Sequence, residues 1–212
     1  MCALKIDKEK KREEILLAAL SEFSEKGFSK ATIQNIADKA GIGKGTIYEY
    51  FKNKNEIIDS SFRYFQKDLE VDLETLLLSK ENGFGKLKNI ISIVLKQLKP
   101  GNSENMHLMF DFWAEGIKGG GKGLMLNEMN KLYGLYKSLL ADVLKEGIED
   151  GSIKKNIDPF ELSSVLIGML DGVMVQWILN ESIINVEKIE ESIVNLIFEG
   201  VGTISKNEEE SK

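Results

Sequence analysis

The 212-residue sequence is short of the residues that cross-link, break or catalyse: it has one cysteine, two prolines and one histidine. A lone Cys2 excludes an internal disulfide and a thiolate metal cluster, and reads as an incidental thiol in a reducing compartment. With His107 as the only histidine, serine and cysteine hydrolase triads lack their usual base, so no enzyme is expected. Pro100 and Pro159 are the only prolines, so long helices meet few breakers. No uncharged apolar run of about 18 residues occurs, and no charged segment followed by an apolar one opens the chain. The expectation is a cytoplasmic protein without a membrane span.

The formal charge of −6 points away from nucleic acid at first sight. The average conceals a gradient. Residues 1–54 hold ten lysines and Arg12 against eight acids, a surplus of three, which leaves −9 for the rest.

Apolar residues recur at helical spacing in nearly every window, and none alternates long enough for a strand. Ile15, Leu16, Ala19, Leu20 and Phe23 form one stripe that predicts a helix over 8–26, stopped at Gly27. Thr32 is placed to cap a two-turn helix carrying Ile33, Ile36, Ala37 and Ala40, which ends at Gly41. Gly41-Ile42-Gly43 is a tight turn, and residues 44–51 form another short helix with Ile47 and Phe51 inward. Asn53 to Glu56 resembles a capping box for a long fourth helix that reaches about residue 78. Five more helices are expected at 84–98, 104–117, 124–150, 159–181 and 186–203, an all-α chain of about nine helices. Residues 205–212 read as a frayed acidic tail.

Two short helices joined by a glycine-containing turn, after a longer helix that supplies packing surface, form a helix-turn-helix. Small Ala37 and Ala40 let the pair approach, while Ile36, Ile42 and Ile47 fix their angle. The stretch TIQNIADKAGIGKGTIYEYFKNKNEI, residues 32–57, resembles the signature of the TetR family of bacterial transcriptional regulators. The resemblance spans about 50 residues with the first helix; beyond it, only helical layout and length agree.

The resemblance implies a reading domain over 1–53, with the motif at about 33–52, and a ligand-binding and dimerisation domain over 54–204. It implies a double-stranded DNA operator, pseudo-palindromic and bound by a homodimer, and release by a small apolar or amphipathic effector. It brings DNA contact to Thr32, Lys44, Tyr48, Tyr50 and Lys54. Chemistry adds Gly45 and Thr46, since the N-terminal end of the third helix enters the major groove and a glycine lets backbone come close. Glu49 departs from the family pattern and reads as solvated or lysine-paired, with acceptance from cytosine N4 as the other reading. Lys8, Lys10, Lys11 and Arg12 either add cations on the DNA flank or form a solvated face.

The acidic remainder needs a different task. The helices at 159–181 and 186–203 are apolar over a wide arc, as expected for packing on their own domain and on a second copy. Met106, His107, Phe110, Asp111, Trp113, Met129, Tyr133 and Trp177 are the candidate pocket, since thioethers beside aromatics suit an adaptable apolar cavity; filling the core is the other reading. His107, Asp111 and Glu115 share a helix face, but one histidine is too little for a metal site, and no cofactor is expected. Residues 116–123 approach a phosphate-cradling loop and fail where Gly123 replaces the magnesium-holding hydroxyl. The alternative to a regulator is a helical small-molecule-binding protein or enzyme with a vestigial head.

Overall fold

The computed structural model describes residues 2–99, 102–118 and 124–203. Among them there are nine helices, and the only extended pairing is an isolated antiparallel bridge between Ile153 and Gly202. The helices are α1 (Cys2–Lys30), α2 (Ile33–Lys39), α3 (Lys44–Tyr50), α4 (Lys54–Leu77), α5 (Gly83–Leu95), α6 (Ser103–Lys118), α7 (Leu124–Asp150), α8 (Pro159–Leu179) and α9 (Val186–Val201). Each lies within a few residues of its expected span except α1, which begins six residues before the expected start and runs past Gly27 to Lys30. The expected acidic tail at 205–212 and the glycine loop at 119–123 lie outside the described residues.

Local chemistry sets the boundaries. Gly27 takes φ 73°, a left-handed conformation that costs glycine nothing, and breaks the regular run of α1. Gly41 does the same at φ 66° and frees the chain between α2 and α3. Thr32 caps α2: its hydroxyl accepts from the Asn35 amide, while the Asn35 side chain accepts from the Thr32 amide. The side chains of Asn82, Asp158 and Asn185 accept backbone amides at the starts of α5, α8 and α9, without the reciprocal bond. Asn53 accepts from the Glu56 amide at the start of α4, but the Glu56 carboxylate reaches the amide of Lys52, one residue earlier than a capping box requires.

The chain divides into two compact units. Unit 1 is Met1–Lys67 with Glu104–Asn130; unit 2 is Asp68–Ser103 with Lys131–Lys212. This division by compactness differs from the expected functional boundary at 53/54, because the head shares its core with the beginning of α4 and with α6. Phe112 on α6 is fully buried, with its ring 4.8 Å from Phe28 and 4.9 Å from Phe62. Phe28 in turn lies 4.8 Å from Phe23, so one aromatic chain ties α1 to α4 and α6.

Unit 2 packs around Leu87, Ile91 and Leu95 of α5, Val143 and Leu144 of α7, and Leu166 and Trp177 of α8. A Cβ added at Gly83 would meet the Gly147 backbone at 2.2 Å, so α5 begins in backbone contact with α7. The Lys154 amide donates to Val201 O at 2.7 Å and the Thr203 amide to Ser152 O at 3.1 Å, which clasps the end of α9. Helix α8 is long and apolar enough to cross a membrane by length and composition, with mean hydropathy 1.7, yet only 33% of that stretch is buried. Asp171 interrupts its apolar run, which is why run length alone passes it over.

Candidate DNA-reading head and effector region

In unit 1, Ile36, Ala37 and Ile47 are fully buried, and Ile42 is half-buried in the turn between the two short helices. Helix α2 is held to α1 by charge as well as packing. Lys39 Nζ lies 2.6 Å from Glu25 and 3.8 Å from the buried Glu22, and donates to Ser21 at 3.0 Å. The hydrogen bond and charge of Lys39 hold the Glu25 carboxyl below its usual range.

With the inner face so filled, the other face of α3 is open. Lys44, Gly45, Tyr48 and Glu49 are exposed, Tyr48 by 50%, and Thr46 and Tyr50 are half-buried. Tyr48 is therefore not a core residue. Lys54 is half-buried and donates to the Ser29 carbonyl at 3.4 Å, in the last turn of α1. Thr32 is exposed, but its hydroxyl proton goes to Asn35 Oδ1 at 2.6 Å, so its cap role is realised and no proton remains for a phosphate in this conformation.

The basic cluster before the first stripe separates into different tasks. Arg12 turns inward: its guanidinium sits 4.6 Å over the Phe51 ring and donates to Ser60 Oγ at 2.9 Å. Lys11 pairs with Glu14, and that hydrogen bond raises the lysine and lowers the carboxyl. One turn before Arg12, the exposed Lys8 places its ammonium 5.9 Å over the Tyr50 ring.

The candidate pocket residues fall in both units. In unit 1, Met106 and Met129 are buried, and Phe110 and Trp113 are half-buried with ring centroids 4.8 Å apart. Met129 Sδ would lie 2.5 Å from a Cβ added at Gly116, so a glycine lets α7 come against α6. The structure places His107 and Asp111 on the exposed side of α6, away from the interior that Met106 enters. Among the described residues no group of three His, Cys, Asp or Glu is arranged to hold a metal ion. In unit 2, Trp177 is buried, and half-buried Tyr133 donates to Asp171 at 3.0 Å. Burial of the pair pushes both groups above their usual values, helped for the phenol by the Asp171 charge.

Sequence reasoning missed a buried polar series on α4, formed by Asp59, Ser60, Ser61 and Gln66. Gln66 donates to Met109 Sδ at 3.1 Å and Tyr64 to Glu13 at 2.6 Å. Three of them are consecutive and Gln66 follows five residues after Ser61, so no helical period marks them in advance. Phe112 was equally invisible, since nothing in its sequence context distinguishes it from Phe110.

A helix-turn-helix with an exposed reading helix, on a chain that is otherwise helical, defines a DNA-binding regulator of transcription. Two family models match the chain: "Bacterial regulatory proteins, tetR family" over residues 15–60, and "YsiA-like protein, C-terminal region" over residues 115–200. The fatty acid metabolism regulator protein of Bacillus subtilis (strain 168) is 26% identical over 198 residues, 92% of this chain and 97% of its own. The transcriptional repressor KstR2 of Rhodococcus jostii (strain RHA1) is 24% identical over 91% of this chain and 92% of its own. The solved structure of FadR from Bacillus subtilis in complex with stearoyl-CoA superimposes with TM-score 0.70 at 26% identity, covering 87% of this chain and 96% of that one. The chain belongs to the tetR family of bacterial regulatory proteins, and is a DNA-binding transcriptional regulator.

Proposed function

We propose that the protein is a repressor that binds a pseudo-palindromic operator as a dimer and is released by a long-chain acyl thioester. The observation that carries the effector class is the likeness, over nearly the whole chain, to a fatty acid regulator whose solved structure holds stearoyl-CoA. The interior of unit 1 suits an acyl chain: Met106, Met125 and Met129 supply flexible thioethers, and Phe110 and Trp113 supply half-buried aromatic walls. Tyr133 and Trp177 remain candidates within unit 2.

In this reading residues 1–53 read the operator and 54–204 sense the effector and dimerise. Lys44, Gly45 and Thr46 approach bases and phosphates, and Tyr48, Tyr50 and Lys54 hold the flanking backbone. Thr32 serves chiefly as the cap that fixes α2. Helix α4 starts next to the reading helix and continues into unit 2 as one uninterrupted helix, so a shift along it reaches the head. The dimer contact comes from α8 and α9, whose Val165, Leu179 and Leu196 are 59%, 78% and 62% exposed. Helix-crossing space is available at Gly168 and Gly200, where an added Cβ would meet nothing within 4 Å.

The test is a titration of stearoyl-CoA into the chain bound to a duplex that it has enriched from a random-sequence pool. Release of the duplex is expected, with coenzyme A alone inactive. If stearoyl-CoA binds while duplex affinity stays unchanged, the release mechanism is wrong. If it does not bind, the effector class is wrong.

A further inference from the structure

The reading helix has a cation beside it that does not come from the helix-turn-helix. We propose that Lys8, on the second turn of α1, is a DNA contact that neutralises the same stretch of phosphate backbone as Tyr50. The inference rests on the head's role as the DNA reader.

Of the four clustered cations at positions 8, 10, 11 and 12, two are held by other side chains, although the charge of Lys11 also reaches Tyr50. Arg12 is held by the Phe51 ring and by Ser60, and Lys11 by Glu14. Arg12 does more than leave the cluster. By clamping α1 onto Phe51, it fixes the rotation of that helix, and Lys8, four residues earlier, shares the same face. Consecutive turns of α1 therefore meet consecutive residues at the end of α3: Arg12 lies over Phe51, and Lys8 lies 5.9 Å over Tyr50. Lys10 lies about 200° round the helix from Lys8 and does not share that face.

The pair is chemically suited to a phosphate. The lysine ammonium is an exposed point charge, the tyrosine offers a phenol donor, and the aromatic ring steers the flexible stem toward it. A merely structural cation–π contact would hold Tyr50 without reporting on counterions. A phosphate contact releases a counterion, and the slope of affinity against salt counts it.

The test measures dissociation constants of the full chain for its enriched duplex between about 50 and 200 mM salt, a range over which phosphate contacts dominate the change. Lys8→Gln should weaken binding several-fold and flatten the log–log slope by about 0.9 for each bound head. Lys8→Arg should keep the slope, and Lys10→Gln, on the far side of the helix, should behave as the native chain. Circular dichroism should show equal helicity in the native chain and every variant. If Lys8→Gln weakens binding with an unchanged slope, the residue only positions Tyr50 and the phosphate contact is refuted. The proposal also falls if Lys8→Gln matches the native chain while Lys44→Gln flattens the slope, an outcome that leaves the reading head intact. If neither substitution matters, the assignment of α3 as the reader falls with it.

Discussion

At the scale of single residues, charge and hydrogen bonding assign different work to similar side chains. Lys44 is exposed at the start of α3, whereas Lys39 is tied to Glu25 and Ser21. Lys44→Ala should therefore weaken binding about equally across duplex sequences and reduce the salt slope by about one if it meets a phosphate, read by fluorescence anisotropy. Lys39→Ala should instead lower stability and leave the slope alone. Asp150, at the end of α7, accepts from the Gly83 amide at 2.7 Å and the Ser152 amide at 2.8 Å. Burial alone would raise its carboxyl, but the bonds from Ser152 and Gly83 outweigh that and hold it below its usual range. The folded chain thus keeps this charge more firmly than the unfolded one. Its contribution is present above the unfolded value, about 3.9, and is lost as pH falls through the lower folded value. Urea midpoints measured between pH 6 and pH 3 should drop more steeply for the native chain than for Asp150→Asn. Asp171, raised by burial, acts in the opposite sense: its charged form is the costly one in the folded state.

Between elements, packing is set by a few contacts that single residues dominate. Phe112 joins α6 to Phe28 of α1 and Phe62 of α4. Truncating it leaves a cavity among rings, and Phe112→Ala should cost about 3–5 kcal/mol in chemical denaturation. The start of α5 is a steric contact instead. At Gly83 a methyl group would meet the Gly147 nitrogen and Cα at 2.2 and 2.3 Å. Backbone cannot swing aside as a side chain does, so Gly83→Ala must separate α5 from α7 and should cost about 1–3 kcal/mol or more. Gly147→Ala meets the flexible end of Ile153, at 2.5 Å, and should be the milder change. Thermal unfolding of the two variants under one condition decides the order.

On the scale of the whole molecule, unmet apolar surface is the main quantity. Helix α8 buries Leu166, Leu170, Val173, Met174 and Trp177, and still leaves Phe160 and Val165 more than half exposed. Exposed apolar residues spaced along these two helices are the face that the proposed dimer would cover. A second copy covering this face would make the same patch meet itself about a two-fold axis. Val165→Glu with Leu196→Glu should shift sedimentation from dimer to monomer and weaken operator binding, because one head then loses the avidity of two. A native chain that sediments as a monomer at all accessible concentrations would refute the dimer assignment.

The sequence alone determined the helices, most of their ends and the family. Those features are local: a 3.6-residue apolar period, asparagine, aspartate and threonine caps, glycines at φ above zero, and a motif contained in residues 32–57. It also determined which face of α3 stays open, since Ile47 and Phe51 are drawn inward by that same period. The tertiary structure decided what needs distant partners. It turned Arg12 inward onto Phe51 and Ser60, left Lys8 beside Tyr50, and put His107 and Asp111 on the outside of α6. It also made Phe112, rather than its neighbour Phe110, the shared core of three helices. Periodicity says that a residue faces inward, while the identity of its neighbour depends on the crossing of helices dozens of residues apart. For that reason the reading head was legible before folding, and the choice among its cations was not.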